Sequence, residues 1–501
     1  MSHLEPPTRE QLAEYAHGRG WRVQGPELDQ LHAEVVEFFE LAGFERLDHS
    51  PEPPHALGRS QRDAGRAPTS HEDPFHAVIR FCRVPGADSG PLSTMRIGVK
   101  DNIAVAGVPM TEGKPSSTPF VPAEDAVAVE RLLHAGASIV AKTNINLGDE
   151  GFGWTRNPRD PRFWAGGSSS GSAAAVAAGI VDAALGADQG GSIRNPASYC
   201  GVVGMKPTHG LVPTYGLMYW DHTLDHLGPI TTSVKDNAAI LEVIAGADWR
   251  DPQWVRAEPA PDDYLGAADL NMRGLRIGVV EESIVAAGCS PEVLKAFHSA
   301  RRTLIRLGAD VVPVSLPLWR LAPRIWWGVL TAGVSTMAGS HGQGHGHLGR
   351  VDLHLLASLA PQYLSGERCA PWLGRTLPLA FEHIRSRYDG IPFGQAQNLR
   401  LQLRRQVDDV LGQVDLLITP TTPTGPPLLD AVKRRERVQR EDAPDGMWNA
   451  AVNLTGHPAI SIPSGLVGDD LPTGLQIIGR RFDERTVYRA AFAAEFEFGD
   501  G

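Results

Sequence analysis

The chain has 501 residues, of which 42% are hydrophobic, with 54 glycines, 39 prolines and a net charge of −11. That hydrophobic share supports a large core and excludes wholesale disorder, and glycines without a three-residue period exclude collagen. The acidic balance gives no global attraction to nucleic acid or to an anionic membrane surface.

Residues 1–75 read as a helical arm followed by a linker. Thr8–His17 and Pro26–Phe44 carry helical patterning, and Leu28, Leu31, Val35, Phe38 and Ala42 form one apolar stripe. His49–Asp73 is rich in Pro, Arg, Ser, His and Asp, as linkers are. The first residues, Met-Ser-His-Leu-Glu-Pro-Pro, lack the apolar run of a signal peptide. From residue 76 the pattern alternates. Strands are expected at Arg96–Lys100, Ser138–Lys142, Leu275–Val280, Ala309–Val314, Leu416–Thr419 and Ala459–Ile462, and helices at Ala123–Ala135 and Pro291–Leu307. This alternation predicts an α/β fold, one large sheet covered by helices on both faces. Residues 320–395, rich in Trp, His and Leu, read as a helical insert in a domain spanning 76–501. No apolar run reaches the roughly 20 residues of a membrane span. Cys82, Cys200, Cys289 and Cys369 are scattered, which fits a reducing compartment, so the expected location is cytoplasmic.

Chemistry concentrates in residues 166–216. Gly166-Gly167-Ser168-Ser169-Ser170 precedes an Ala-rich stretch, and Asp188-Gln189-Gly190-Gly191-Ser192-Ile193-Arg194 follows it. A helix and a return strand between two Gly-Gly-Ser units can bring both serines to one end of a sheet. Glycine lets successive N–H groups turn toward one point, a nest suited to an oxyanion. A serine nucleophile needs a base. Any of 18 histidines fits that role, as does a lysine whose pKa burial has lowered. Lys100 is placed for it, at the end of an apolar strand and followed by Asp101-Asn102.

Val99-Lys100-Asp101-Asn102, Ala141-Lys142-Thr143-Asn144 and the two Gly-Gly-Ser segments together resemble the amidase signature family over about residues 76–495. The resemblance implies a mixed-sheet α/β/α sandwich and hydrolysis of an amide to acid and ammonia through an acyl-serine. It implies Lys100 as base, Ser168 as bridging serine after a cis peptide bond, and Ser192 as nucleophile. Backbone N–H groups of Gln189, Gly190, Gly191 and Ser192 would form the oxyanion hole, with Ser169, Asp188 and Arg194 behind them. No metal or cofactor is implied. Within the family, Asp188–Arg194, Thr223–Ile230, Thr455–Pro458 and Gly479–Asp483 resemble the enantioselective amidases that accompany nitrile hydratases. That closer resemblance implies a small aliphatic or aromatic amide as substrate and homodimerisation through the N-terminal arm. Neither a nucleic-acid nor a membrane partner is expected.

Other motifs compete with this reading. Gly167–Gly171 matches a nucleophile elbow with Ser169 as nucleophile and His457 as a late base, but a poor strand precedes it. Gly344–Gly349 matches a dinucleotide-binding fingerprint, yet it follows a loop. His341, His345 and His347 read as a solvated loop, and His226 as a hydrogen-bonded core or cleft residue. Trp220, Trp326, Trp327 and Trp372 read as core or as the wall of an acyl pocket. Two alternatives for the substrate remain: a larger peptidyl or secondary-metabolite amide, and the glutamine handled by the glutaminase subunit of a tRNA-dependent amidotransferase. The arm and Gln189 are read as evidence against the second.

Overall fold

The computed structural model describes residues 5–42, 61–115, 119–146, 151–251, 262–268, 271–285, 287–339, 349–355, 358, 377–388, 391–438, 449–468 and 470–498. The chain divides into two compact units, Met1–Pro54 and His55–Gly501.

In the first unit, helices Arg9–Gly18 and Pro26–Ala42 pack together. Thr8 starts the first with a capping box: its hydroxyl accepts from the Gln11 N–H, and the Gln11 side chain accepts from the Thr8 N–H. Arg9 joins the helices through Asp29, and the His32 ring meets the Pro7 carbonyl. Of the apolar stripe, Leu28 is buried while Phe38 is 57% exposed.

Among the described residues, the second unit has twelve strands: β1 Asp63–Arg66, β2 Val78–Val84, β3 Arg96–Lys100, β4 Ser138–Thr143, β5 Ala183–Asp188, β6 Val203–Lys206, β7 His226–Thr231, β8 Arg276–Val280, β9 Asp310–Val314, β10 Leu416–Pro420, β11 Ala459–Val467 and β12 Leu471–Ile478. They form one mixed sheet in the order β1-β2-β4-β3-β5-β7-β6-β11-β12-β10-β8-β9. The pairs β3/β4, β3/β5, β8/β10 and β8/β9 are parallel; the other neighbours are antiparallel. The α/β fold with one helix-covered sheet is therefore observed. Part of the stretch read as linker instead forms the edge strand β1. Residues 341–348 and Trp372 lie outside the described residues, so the His341, His345 and His347 loop and the Gly344–Gly349 match do too.

Strand alternation divides the core and positions the site. Ile97, Val99, Leu185, Ile277, Leu416, Ile460 and Ile477 point to one face, under helices Val127–His134, Val234–Ile244, Pro291–Arg306 and Glu484–Phe498. The opposite face holds Ala184, Val280, Leu417 and Ile478, under helices Ser170–Ala177, Arg194–Cys200, Ala322–Gly339, Ile391–Leu411 and Ala450–Thr455. Lys100 lies one residue beyond Val99, so the same period turns it to that second face. Gly171 lets the Ser170–Ala177 helix approach β4 closely: a Cβ there would sit 2.2 Å from the Asn144 nitrogen and 2.3 Å from the Ala77 carbonyl oxygen.

Arg62 anchors the chain where it enters the sheet. Its guanidinium donates to both Asp125 oxygens, at 2.8 and 2.6 Å, and each side chain is only 4% exposed. Asp125→Ala takes the carboxylate away from that buried guanidinium, a defect that costs about 3–5 kcal/mol. Urea unfolding of the variant is expected to show a loss of that size, and a change below about 1 kcal/mol would contradict it.

Candidate active site

Lys100 closes β3 with its side chain fully buried. Nζ lies 2.8 Å from Ser168 Oγ and 3.0 Å from the Ala187 carbonyl oxygen. Burial pulls its pKa down to about 7, against the charges of Asp188 and Asp225, which favour the ammonium. Behind it, buried Lys142 reaches the carbonyls of Lys100 and Ile103 and lies 3.6 Å from Asp101. Asp101 in turn accepts from Thr111 and Gly113. The Val-Lys-Asp-Asn and Ala-Lys-Thr-Asn segments thus brace the end of β3 on adjacent strands.

The two Gly-Gly-Ser segments meet. The Gly167–Ser168 peptide is cis, and the Ser169 N–H donates to the Ser192 carbonyl at 3.1 Å. Ser168 is buried beside Lys100, whereas Ser192 is half-buried at the turn between β5 and helix Arg194–Cys200. The Ser169 hydroxyl is sealed inside and spent on β5: it donates to the Ala187 carbonyl at 3.1 Å and accepts from the Ala187 N–H at 3.3 Å. An elbow nucleophile has to be exposed, so Ser169 is a brace. His457, the base that reading requires, hydrogen-bonds Asp408 at 3.1 Å instead.

Asp188 organises the turn. Oδ1 accepts from the Gly191 N–H at 2.7 Å and Oδ2 from the Ile193 N–H at 3.0 Å. Arg194 donates to both oxygens at 3.1 Å, and Asn453 Nδ2 to Oδ1 at 2.8 Å. Burial alone would raise this carboxyl; the Arg194 charge and these donors outweigh it and hold Asp188 well below the usual carboxylate range. Arg194, also fully buried, continues to Gln476 Oε1 and Asn453 Oδ1, both at 2.6 Å.

One expectation about the nest needs correction. An amide has a single hydrogen, and that of Gly191 is committed to Asp188, so Gly191 is no oxyanion donor in this arrangement. Its φ of +121° and its contact with Asn449, where a Cβ would lie 2.6 Å from the Asn449 Cβ, explain the glycine. The N–H groups of Gly190 and Ser192 take no hydrogen-bond partner among the described residues.

Sequence reasoning missed Asn453, Asn449, Gln476 and Asp225. Asn453 and Gln476 contact the loop from 259 and 282 residues beyond Arg194, too far for any local pattern to reveal. Asp225 is buried, accepts from the Trp220 and Asp221 N–H groups, and is pushed up to about 7 by its burial. His226 is buried, with its ring against the Leu224 carbonyl and His209. Trp326 donates to the Gln189 carbonyl at 2.7 Å and packs edge-on against Trp327. Among the described residues, no three His, Cys, Asp or Glu gather as metal ligands would. No described helix is long and apolar enough to cross a membrane.

A buried lysine thus stands against one serine, beside a second serine in a glycine turn. The family model for amidases matches residues 81–488, and the chain belongs to the amidase signature family. It is 39% identical over 437 residues to a glutamyl-tRNA(Gln) amidotransferase subunit of Exiguobacterium sibiricum, across 86% of this chain and 89% of the relative. The crystal structure of the subunit of that name from Thermotoga maritima matches with a TM-score of 0.67 and 29% identity, over 93% and 92% of the two chains. The peptide amidase PAM, solved with the competitive inhibitor chymostatin, matches with a TM-score of 0.67 and 25% identity, over 99% and 98%. These relatives overturn the expected partner set, in which a homodimer formed through the arm cleaves a small-molecule amide with no nucleic acid involved. Proteins as similar as 39% are named as subunits of an enzyme for glutamyl-tRNA. Net charge describes only the average field, and an apolar helix stripe suits any partner, so neither could exclude such an assembly.

Arg194→Met leaves the Asp188 carboxylate buried without its cation, a defect that costs about 3–5 kcal/mol. Denaturant unfolding is expected to show that loss together with loss of turnover. A variant with wild-type stability would contradict the role assigned to the ion pair.

Proposed function

We propose that the protein cleaves a carboxamide through an acyl-serine and that this amide is the side chain of glutamine, the ammonia passing to a partner in the manner of an amidotransferase's glutaminase subunit. The observation that carries the chemistry is the 2.8 Å contact between buried Lys100, which has no ion pair among the described residues, and Ser168. Neutral Lys100 donates to the Ala187 carbonyl and turns its lone pair to Ser168. Ser168 gives Lys100 its proton and takes one from Ser192 as Ser192 Oγ attacks the amide carbon. The oxyanion accepts from the Gly190 and Ser192 N–H groups. The proton then returns through Ser168 to the leaving nitrogen, the C–N bond breaks, and ammonia departs. Water, deprotonated by the same relay, releases the acid from Ser192. Ser169, Asp188 and Arg194 hold the loop and touch no substrate. The choice of glutamine is supported by the 39% identity with an amidotransferase subunit over most of both chains. Cytoplasmic location belongs to the same reading.

A second reading has one observation in its favour. The Trp326 indole lies against Gly190, where a Cβ would meet the ring at 3.0 Å, so apolar surface adjoins the oxyanion loop. Such surface suits the acyl group of a larger peptidyl or secondary-metabolite amide, cleaved without a partner. The likeness to peptide amidase supports this alternative.

Ammonia release from glutamine, a peptidyl amide and an aryl amide separates the two. The first reading predicts that glutamine is hydrolysed fastest and that other subunits co-purify with the tagged chain. Preference for the peptidyl or aryl amide by a lone chain would replace it with the second.

The lysine sets the pH dependence. The base acts when neutral, and its pKa is about 7, so kcat/KM is expected to rise with pH through about 7 and then level off. Lys100→Ala is expected to remove that limb and to lower the rate by at least about 100-fold, the lower end of general-base contributions. An unchanged profile would exclude Lys100 as the base.

A further inference from the structure

We infer that Trp326 is a positioning residue for the oxyanion, acting through the direction of the Gly190 N–H. This rests on the reading of Ser192 as the acylated nucleophile. The Trp326 indole N–H donates to the Gln189 carbonyl at 2.7 Å. That carbonyl and the Gly190 N–H belong to one planar peptide unit, and in a trans peptide they point in opposite directions. The only cis peptide described is Gly167–Ser168. Drawing the Gln189 oxygen toward helix Ala322–Gly339 therefore turns the Gly190 hydrogen away from that helix, and this hydrogen has no other partner among the described residues.

Packing reinforces the hydrogen bond. A Cβ at residue 190 would meet three atoms of the indole at 3.0–3.1 Å, so the ring lies flush with the glycine. Trp326 is itself held edge-on by Trp327 at 4.8 Å between ring centroids. The next peptide is fixed independently, because the Gly191 N–H is tied to Asp188. Two consecutive peptide units are thus held separately, one by a carboxylate and one by an indole. Without the indole, the Gln189–Gly190 unit is free to rotate and present its carbonyl oxygen to the developing negative charge. A donor would become a repulsive dipole at the same place. A helix in the insert, more than 130 residues from the loop in sequence, sets the hole in this way.

Trp326→Phe keeps an aromatic ring beside Gly190 and removes the N–H together with part of the indole's bulk. The test is saturation labelling by a fluorophosphonate probe, which places negative charge in the same hole and needs no knowledge of the substrate. The maximal labelling rate is expected to fall about tenfold, less than the roughly 100–1,000-fold for deleting a donor outright. The probe's half-saturation concentration is expected to stay as in the wild type, with only a small fall in melting temperature from the lost bulk. An unchanged maximal rate would overturn the inference. So would a fall in rate accompanied by weaker probe binding and a much lower melting temperature, since that pattern marks general loosening. Ser192→Ala serves as control and is expected to take no label. A labelled Ser192→Ala protein would refute the nucleophile reading and this inference with it, whereas an unlabelled control beside an unaffected Trp326→Phe refutes the tryptophan's role alone.

Discussion

The buried Asp188 carboxylate is the constraint on which the rest of the site depends. Taking such a charge out of water costs several kcal/mol, and the cost is offset only when the partners are complete. Here they are: one guanidinium, two backbone N–H groups and one side-chain amide. Meeting those demands bends residues 188–194 into a tight turn, orients the Gly191 peptide and leaves Ser192 at its open side. It also recruits Arg194, and through it Gln476 on β12 and Asn453 on the Ala450–Thr455 helix. Distant parts of the chain are therefore fixed by the electrostatics of a single residue.

The same dry interior treats Lys100 in the opposite way. Asp188 has its countercharge in contact and stays ionised; Lys100 has none in contact among the described residues and is pulled toward neutrality. A lysine that titrates near neutral pH and a permanent anion thus arise on adjacent strands from one physical cause, desolvation, with and without compensation. Lys100 sits on β3 and Asp188 on neighbouring β5, and strand alternation turns both to the face that carries the Ser170–Ala177 helix. The sheet thereby sets the distances that the chemistry needs.

Much of this was legible in the sequence. β3 and β4 are short apolar runs bounded by turn residues, and the pattern places both to within a residue. Lys100, Ser168 and Ser192 stand out from their setting. The missed elements carry misleading local signals. β7 holds Gly228 and Pro229, and proline is ordinarily kept out of central strands, yet this strand lies between β5 and β6. β12 includes Pro472 and Gly474 for the same confusion. β1 is hidden in a polar stretch that reads as linker. In the site, glycine content points to a nest, but only the folded loop shows that the Gly191 hydrogen is already taken. Asn453 and Trp326 reach the loop across long sequence separations, where no periodicity exists to read. The partner expectation failed for a different reason, since a chain's average charge and one helix stripe carry too little information to choose an assembly.

The central claim is that Ser192 carries the acyl group. Acid quenching during turnover, followed by peptide mapping by mass spectrometry, tests it most directly. The account predicts an acyl adduct on Ser192 whose occupancy rises when deacylation is slowed. An adduct on Ser168 or Ser169, or turnover without any acyl-serine, would contradict it.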